Sequence, residues 1–402
     1  MTIAQETGEV SVLAQLAREC RIIKGDRWIF AMSFWLPLLL FTLLWGIFST
    51  GIARNLPIGV VDLDHSQLSR QLVRHYDASP VLAVSERYTS VAEGSAALRG
   101  GGIYALLVIP PKLEQQTLIG LSPTVTTFYN SQFILIAKLV NSAVIQAQGT
   151  LNASIDTLKN MASGDSVPVQ ALGQAVPLRS QITPLYNSNS HYGQFIVSAA
   201  IPAIWQIAIV ITTIMALSFE ARNSANSQQG ISKWLSGMPV RNLALKLLPY
   251  TLLFMVQGGI FLTALYGVLG WPMHGHWAIL ILAQSLMVLA CQAVACLFYL
   301  LTLDATKAMS MAAGFTAPAF AFVGITFPAS DMPFLAQVWR AMLPVSHYLE
   351  VQVHQVNQGQ TLALAMPQLL ALLAFSLCFV VVVWRSLQLA QGGTVCNQNG
   401  SK

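Results

Sequence analysis

Six apolar runs, each long enough to cross a bilayer as a helix, constrain this chain more than any other feature. They fall at about residues 28–50, 193–219, 247–270, 278–302, 308–326 and 363–388, and a spanning helix needs roughly 20 apolar residues. Composition agrees, with 54% hydrophobic and 9% charged residues, against about 25% charged in ordinary soluble domains. Short basic flanks orient the spans. Arg18, Arg21, Lys24 and Arg27 precede the first run, and Arg222, Lys233, Arg241 and Lys246 lie between the second and third. The positive-inside rule assigns both segments, and so both termini, to the cytoplasm. The first run lacks a small-residue cleavage site and is expected to stay as an anchor. A net charge of +5, with no basic face interleaved with aromatics, gives no basis for nucleic acid as a partner.

The domain organisation follows. Residues 1–27 place Val12, Leu13, Leu16, Ala17 and Ile22 or Ile23 at helical spacing with Arg18, Arg21 and Lys24 interleaved, the pattern of a cytoplasmic interfacial helix. Residues 28–50 form the first span, and 51–192 lie outside the cytoplasm. There PIGVVDLD, VLAVSERY, IYALLVIP and TVTTFYN read as strands, alternating with HSQLSRQLVRHY and SVAEGSAALRGG as helices, which makes a small α/β domain. Asp64 is expected to cap the helix that opens at His65 or Ser66. A long Ala-rich helix follows from about Ser131 to Met161, then a Gly- and Pro-containing connector over 162–190. Residues 193–388 hold five further spans, and 389–402 are a cytoplasmic tail. The predicted fold class is therefore an α-helical polytopic membrane protein, six transmembrane helices with an inserted α/β extracytoplasmic domain.

A search for chemistry returns little. No GxxxxGK[ST] occurs, so any ATP hydrolysis is expected on another chain. Cys20, Cys291, Cys296, Cys378 and Cys396 form no CxxC and read as packing residues. His274 and His276 lie between Trp271 and Trp277 and read as membrane-edge residues rather than metal ligands. Glu220, Asp304, Lys307 and Arg385 all fall at run ends, which argues against an ion-coupled secondary transporter.

Two segments stand out. In the loop 220–246, Ile231, Trp234 and Leu235 make an apolar stripe on a short helix stopped by Gly237 and Pro239, suited to lipid or to a partner's groove. After the fifth run, Gly314, Pro318, Gly324, Pro328, Pro333 and Pro344 interrupt apolar sequence. Irregular backbone at bilayer depth has to be shielded by protein or line a wet cavity, so re-entrant half-helices are expected at about 327–345, capped by Ser330 or Asp331 and by Ser346.

Several stretches together resemble the type-2 ATP-binding-cassette transporter permeases, in the bacterial exporter branch with a large periplasmic domain between the first two spans. PIGVVDLDHSQLSRQL is similar to that branch's outer-domain opening, and PLYNSNSHYGQFIVSAAIP at 184–202 to its re-entry into the membrane. Glu220, Met238, Pro239, Val240 and Lys246 match the family's coupling loop, whose acidic elements appear here as EARN and GISKW. GITFPASDMP and LPVSHY resemble the signatures after the fifth span.

The resemblance implies an inner-membrane permease subunit of an exporter for an amphiphilic or apolar substrate such as a drug, lipid or glycolipid. It implies a second permease subunit, cytoplasmic ATPase subunits that carry ATP and Mg while this chain carries no cofactor, and in Gram-negative members a periplasmic adaptor and outer-membrane channel. Glu220, Ile231, Lys233, Trp234, Leu235, Met238 and Pro239 are the expected ATPase-coupling residues. Gly324, Phe327, Pro328, Pro333, Pro344 and Tyr348 are the expected outer gate. The competing reading is a non-transporting envelope receptor or scaffold.

Overall fold

The computed structural model describes residues 12–49, 51, 53–162, 191–222, 227–236, 238–324 and 327–399. Of the connector expected over 162–190, residue 162 ends a helix and 163–190 lie outside the described residues. The chain divides into two compact units, one made of 1–51 with 184–402, the other of 52–183. The first unit opens with α1 (Val12–Gly25) and α2 (Arg27–Ile47), the latter containing one π-helical turn at Ala31–Trp35. Asp26 separates them and caps α2, its Oδ1 accepting from the Trp28 and Ile29 amides at 3.0 and 3.2 Å.

The inserted unit is built on a four-stranded sheet of order β2-β1-β3-β4. Strands β1 (Leu56–Asp62), β2 (Leu82–Tyr88) and β3 (Ala105–Ile109) are parallel, and β4 (Thr126–Tyr129) runs antiparallel to β3. Crossovers α3 (Gln67–Asp77) and α4 (Val91–Arg99) connect the parallel strands, and α5 (Leu113–Leu118) precedes β4. The cap of α3 is Ser66, whose Oγ accepts from the Ser69 amide at 3.0 Å. Asp64, expected in that role, instead accepts from the Glu114 amide at 3.1 Å and so holds the start of α5. The long helix α6 (Ile134–Ala162) buries Val140, Val144 and Leu151 in one cluster with Ile58, Leu72, Tyr76 and Leu107. Tyr76 Oη accepts from Gln148 Nε2 at 2.8 Å across that contact.

The first unit resumes with α7 (Tyr192–Phe219), then α8 (Ser227–Leu235), α9 (Pro239–Val268, its last turns π-helical) and α10 (Trp277–Thr302). The chain continues through α11 (Ala305–Thr316), α12 (Ala319–Phe322), α13 (Phe334–Met342), α14 (Pro344–Val353), α15 (Leu362–Ala374) and α16 (Leu377–Asn399). Six helical stretches among the described residues are long and apolar enough to cross a membrane: 27–47, 134–161, 193–219, 239–268, 277–302 and 362–391. Five of these correspond to expected spans. The sixth, 134–161, is α6, whose apolar face is used inside the inserted unit.

The expected span at 308–326 is not one helix. It is α11 and α12, interrupted at Ala317–Pro318, because proline lacks the amide that would continue the ladder. The centre of the unit is α10, which packs against α7, α9, α11, α14, α15 and α16. Its most apolar window is 72% buried, whereas that of the stretch 362–391 is 17% buried, so the latter presents mostly outward-facing surface.

Candidate functional site

Two polar clusters stand out in the helical unit. The first joins α1 to the loop between α7 and α9. Lys246, one side-chain surface hundredth from complete burial at 1%, places Nζ 2.9 Å from Glu19 Oε2 and 2.5 Å from Glu220 Oε1. Arg18 closes the group, 3.1 Å from Glu19 Oε1 and 2.8 Å from Glu220 Oε2. Two carboxylates and two cations leave no net charge, the condition under which buried ions are tolerated. Burial pushes the Glu19 carboxyl above its usual range and outweighs the pull of Lys246. Burial acts the same way on Glu220, but the Arg18 hydrogen bond together with Lys246 outweighs it and holds that carboxyl below its usual range. Nearby, Arg222 Nη1 lies 2.5 Å from Asp26 Oδ2. The ends of α7 and α9 are therefore pinned to α1 and to the head of α2 by ion pairs.

The loop helix α8 packs beside α9, the helix that carries Lys246. Ile231 and Leu235 are fully buried in the unit's main core cluster, with Trp234 partly buried against it, and α8 packs on α16 and α9. Asn242 Nδ2 donates to the Trp234 carbonyl at 2.8 Å, tying α8 to the first turns of α9. Pro239 is buried at that turn, while Lys233, Met238 and Val240 are exposed. So the stripe Ile231 and Leu235 does not face outward in this conformation, because folding α8 onto the bundle uses it. Glu220 is likewise held within its ion group, with 6% of its side chain exposed.

The second cluster surrounds the hairpin of α13 and α14. Every residue of α13 is at least partly exposed, while α14 buries Pro344 through Leu349. The Val345 amide, an open donor in the first turn of α14, donates to Gln206 Oε1 at 2.9 Å. Gln206 is the midpoint of the stretch 193–219, so the tip of the hairpin reaches the middle of the bundle. Arg340 pairs with Glu350 at 2.5 Å, Gln368 Nε2 donates to Glu350 at 2.7 Å, and Gln368 Oε1 lies 2.6 Å from His347 Nδ1. His347 Nε2 lies 2.9 Å from the Ala341 carbonyl.

The expected gate residues do not converge. Pro344 and Tyr348 are buried in the hairpin, whereas Phe327, Pro328 and Pro333 are exposed at its entry. Gly324 adopts φ +87°, a conformation open to glycine. Pro333 itself precedes the first residue of α13 and no side chain caps that helix, nor does Ser346, which lies inside α14.

The ABC-2 family transporter protein family matches residues 27–385, nearly the whole chain. The chain belongs to the ABC-2 family. It is also similar to the inner membrane transport permease YhhJ of Escherichia coli (strain K12) and of Shigella flexneri, 22% identical over 374 residues, which cover 91% of this chain and 93% of each relative. Membership makes it a multi-pass inner-membrane transport permease subunit of the kind that works with a separate ABC ATPase subunit.

Sequence reasoning missed most of the polar contacts that organise this permease. Arg18 and Lys246 read as topology signals, and nothing in the pattern singled out Glu19. Arg340, His347 and Glu350 escaped a search restricted to runs of spanning length. Uncharged glutamines within the runs were the available signal. Gln257 accepts from Trp205 Nε1 at 2.9 Å and donates to the Phe34 carbonyl at 3.1 Å, and Gln292 accepts from Thr251 Oγ1 at 2.8 Å. Such groups in hydrocarbon have to find partners on neighbouring helices.

Proposed function

We propose that this chain is the membrane subunit of an exporter that moves an amphiphilic or apolar molecule outward, driven by ATP hydrolysis on a separate ATPase that carries the ATP and Mg. The loop 220–246 faces the cytoplasm and receives the ATPase, and the inserted α/β unit lies on the opposite side of the membrane. In this reading α11 and α12 together provide the remaining crossing, and a second permease subunit completes the pathway. A periplasmic adaptor and an outer-membrane channel fit the inserted unit's position in a Gram-negative envelope.

The observation that carries the reading is the neutral ion group Arg18, Glu19, Glu220 and Lys246. It fixes the interfacial helix to both membrane helices that bound the loop, so a push on the loop moves them together rather than bending it. The surface offered to the ATPase is Lys233, the outer edge of Trp234, Met238 and Val240. Ile231, Leu235, Pro239 and Glu220 hold that surface in place from behind. Differential binding of two ATPase states then selects between two packings of the helices. The outer exit is assigned to the entry of the hairpin, with Gly324, Phe327, Pro328 and Pro333 on its exposed side and Pro344 and Tyr348 anchoring it.

The test places a photo-crosslinking amino acid at position 233 or 240 in cells and identifies what is captured. An ATPase captured from both positions supports the reading. Capture of an ATPase elsewhere on the chain, with none from these two, overturns the placement of the contact. An envelope receptor would capture no ATPase at any position.

A further inference from the structure

A cavity of about 510 Å³ opens on the surface of the helical unit between α10, α11, α15, the head of α16 and the tip of the hairpin. Leu297, Phe298, Phe315, Met342, Ala371 and Phe375 form most of its wall. Phe298 and Phe315 meet edge to face with centroids 5.6 Å apart, which fixes one side. Its ionisable lining residues are His347 and the free thiol Cys378, and both ring nitrogens of His347 are already engaged, by Gln368 and by the Ala341 carbonyl. The cavity therefore offers a ligand shape and dispersion contacts, with no unengaged imidazole nitrogen to bind a head group.

We infer that this cavity holds the acyl tail of a membrane amphiphile. Water is a poor occupant, because a buried water needs two or more polar partners. An empty volume of this size would forfeit the dispersion contacts of its whole lining. The surrounding solvent is hydrocarbon: α10 and α15 both belong to stretches long and apolar enough to span, and the stretch 362–391 is the least buried of them. Ala371 is half-buried and Ala374 exposed at the mouth, so small side chains leave the entrance from the lipid side open. Because the hairpin tip contributes Ala341, Met342 and His347, a tail lying in the cavity contacts the segment that also bonds to Gln206 at the centre of the bundle.

The inference rests on the exporter reading only in making the bound amphiphile a substrate or its competitor. Binding itself is tested apart from it. Membranes of cells making the full chain are incubated with a palmitic acid analogue carrying a mid-chain diazirine and a terminal alkyne, irradiated, and the adducts mapped by peptide mass spectrometry. Adducts are expected to concentrate on Val294–Phe298 and Ala371–Cys378, above those on Leu252 and Val256, although these two are the more exposed surface, on α9. Ala374→Trp, at an exposed position that tolerates a larger side chain, and Ala371→Trp should each lower labelling of the cavity several-fold and leave Val256 labelling unchanged. Labelling spread evenly over the exposed surface, or unaffected by both tryptophans, would overturn the inference. So would oxidative pairing of two chains through Cys378 in a C20S/C396S chain without adducts, since a second copy would then fill the site. The labelling needs no ATP and no partner. Its failure while an ATPase is captured at position 233 refutes the cavity alone, and its success with no ATPase captured anywhere refutes the transport reading alone.

Discussion

Lys246→Met removes the one cation shared by Glu19 and Glu220 while keeping the bulk of the side chain. In the native structure Nζ reaches both carboxylates, at 2.9 and 2.5 Å, from a position only 1% exposed. Without it, Arg18 alone faces two buried carboxylates, and its side chain is 45% exposed. Breaking a buried pair by deleting one partner costs about 3–5 kcal/mol. Glu19 limits part of that loss by taking up a proton. From its ordinary value of 4.5, protonation at pH 7 costs roughly 3.4 kcal/mol at 1.36 kcal/mol per unit, so the contribution of its uncompensated charge is capped near that figure.

The sign of the pH dependence follows. A carboxyl whose folded pKa is raised contributes stability below its unfolded value and loses it as pH rises through the folded value. Glu19 is already raised in the native chain and rises further once Lys246 is gone. The Lys246→Met defect should therefore shrink on acidification, the Glu19 cap falling to roughly 1.4 kcal/mol at about pH 5.5. Glu220, held low by Arg18 and Lys246, acts in the opposite sense in the native chain, its contribution fading as pH falls through its folded pKa. Thermal unfolding of the purified full chain, followed by its nine tryptophans, measures both. We expect a lower midpoint for Lys246→Met at neutral pH, much of it regained at the lower pH or by adding Glu19→Gln. A native midpoint for the single variant, or a defect that neither condition relieves, would refute the reasoning.

Three further outcomes are expected. Trp234→Ala should weaken ATPase co-purification by about 2 kcal/mol, as truncating an interface aromatic does, with insertion and expression intact; unchanged association would make Trp234 a packing residue only. Gln206→Leu strands the buried Val345 amide at the head of α14, a loss of about 1–3 kcal/mol read as a lower unfolding midpoint; an unchanged midpoint would show that the amide finds another acceptor. Gly258→Ala places a Cβ 2.3 Å from Gln284 Nε2 and 2.6 Å from Trp205, so α7, α9 and α10 have to separate at a cost of about 1–3 kcal/mol; an unchanged midpoint would show slack at that crossing.

How much of this was legible in the sequence depends on how local the cause is. Five spans were readable because hydropathy sums over one continuous helix. The run 308–326 was apolar enough to pass the same sum, yet Pro318 divides it, a single-residue effect that averaging hides. The stretch 134–161 shows the converse. Its apolar residues suit a membrane, but Val140, Val144 and Leu151 lie on one face and meet the sheet. The Asp64 cap failed for a related reason: an acidic residue before a helix fits a local cap, and the partner it found at Glu114 is 50 residues away. The ion group was beyond reach altogether, since Arg18 and Glu220 are separated by 202 positions. The stripe Ile231 and Leu235 was correctly seen as an amphipathic face, but periodicity cannot say whether such a face binds a partner or its own bundle.

That last distinction bears on how force would travel. An apolar stripe exposed to an ATPase would leave α8 free to hinge on its flanking loop. With Ile231 and Leu235 instead buried against the bundle, α8 is packed on α16, α16 on α10, and α10 on α14. Packed interfaces shift between discrete arrangements rather than deforming smoothly, so a displacement of α8 has a continuous path to the hairpin whose tip bonds to Gln206. Beside that path, where α9 and α7 meet α10, the close approach at Gly258 leaves little room for side chains to absorb movement. The acyl-tail cavity lies beside its far end, against α10 and the hairpin. A change of α10 packing would therefore alter the cavity's walls and the loop surface together, which links the two sites through one helix without requiring a separate relay.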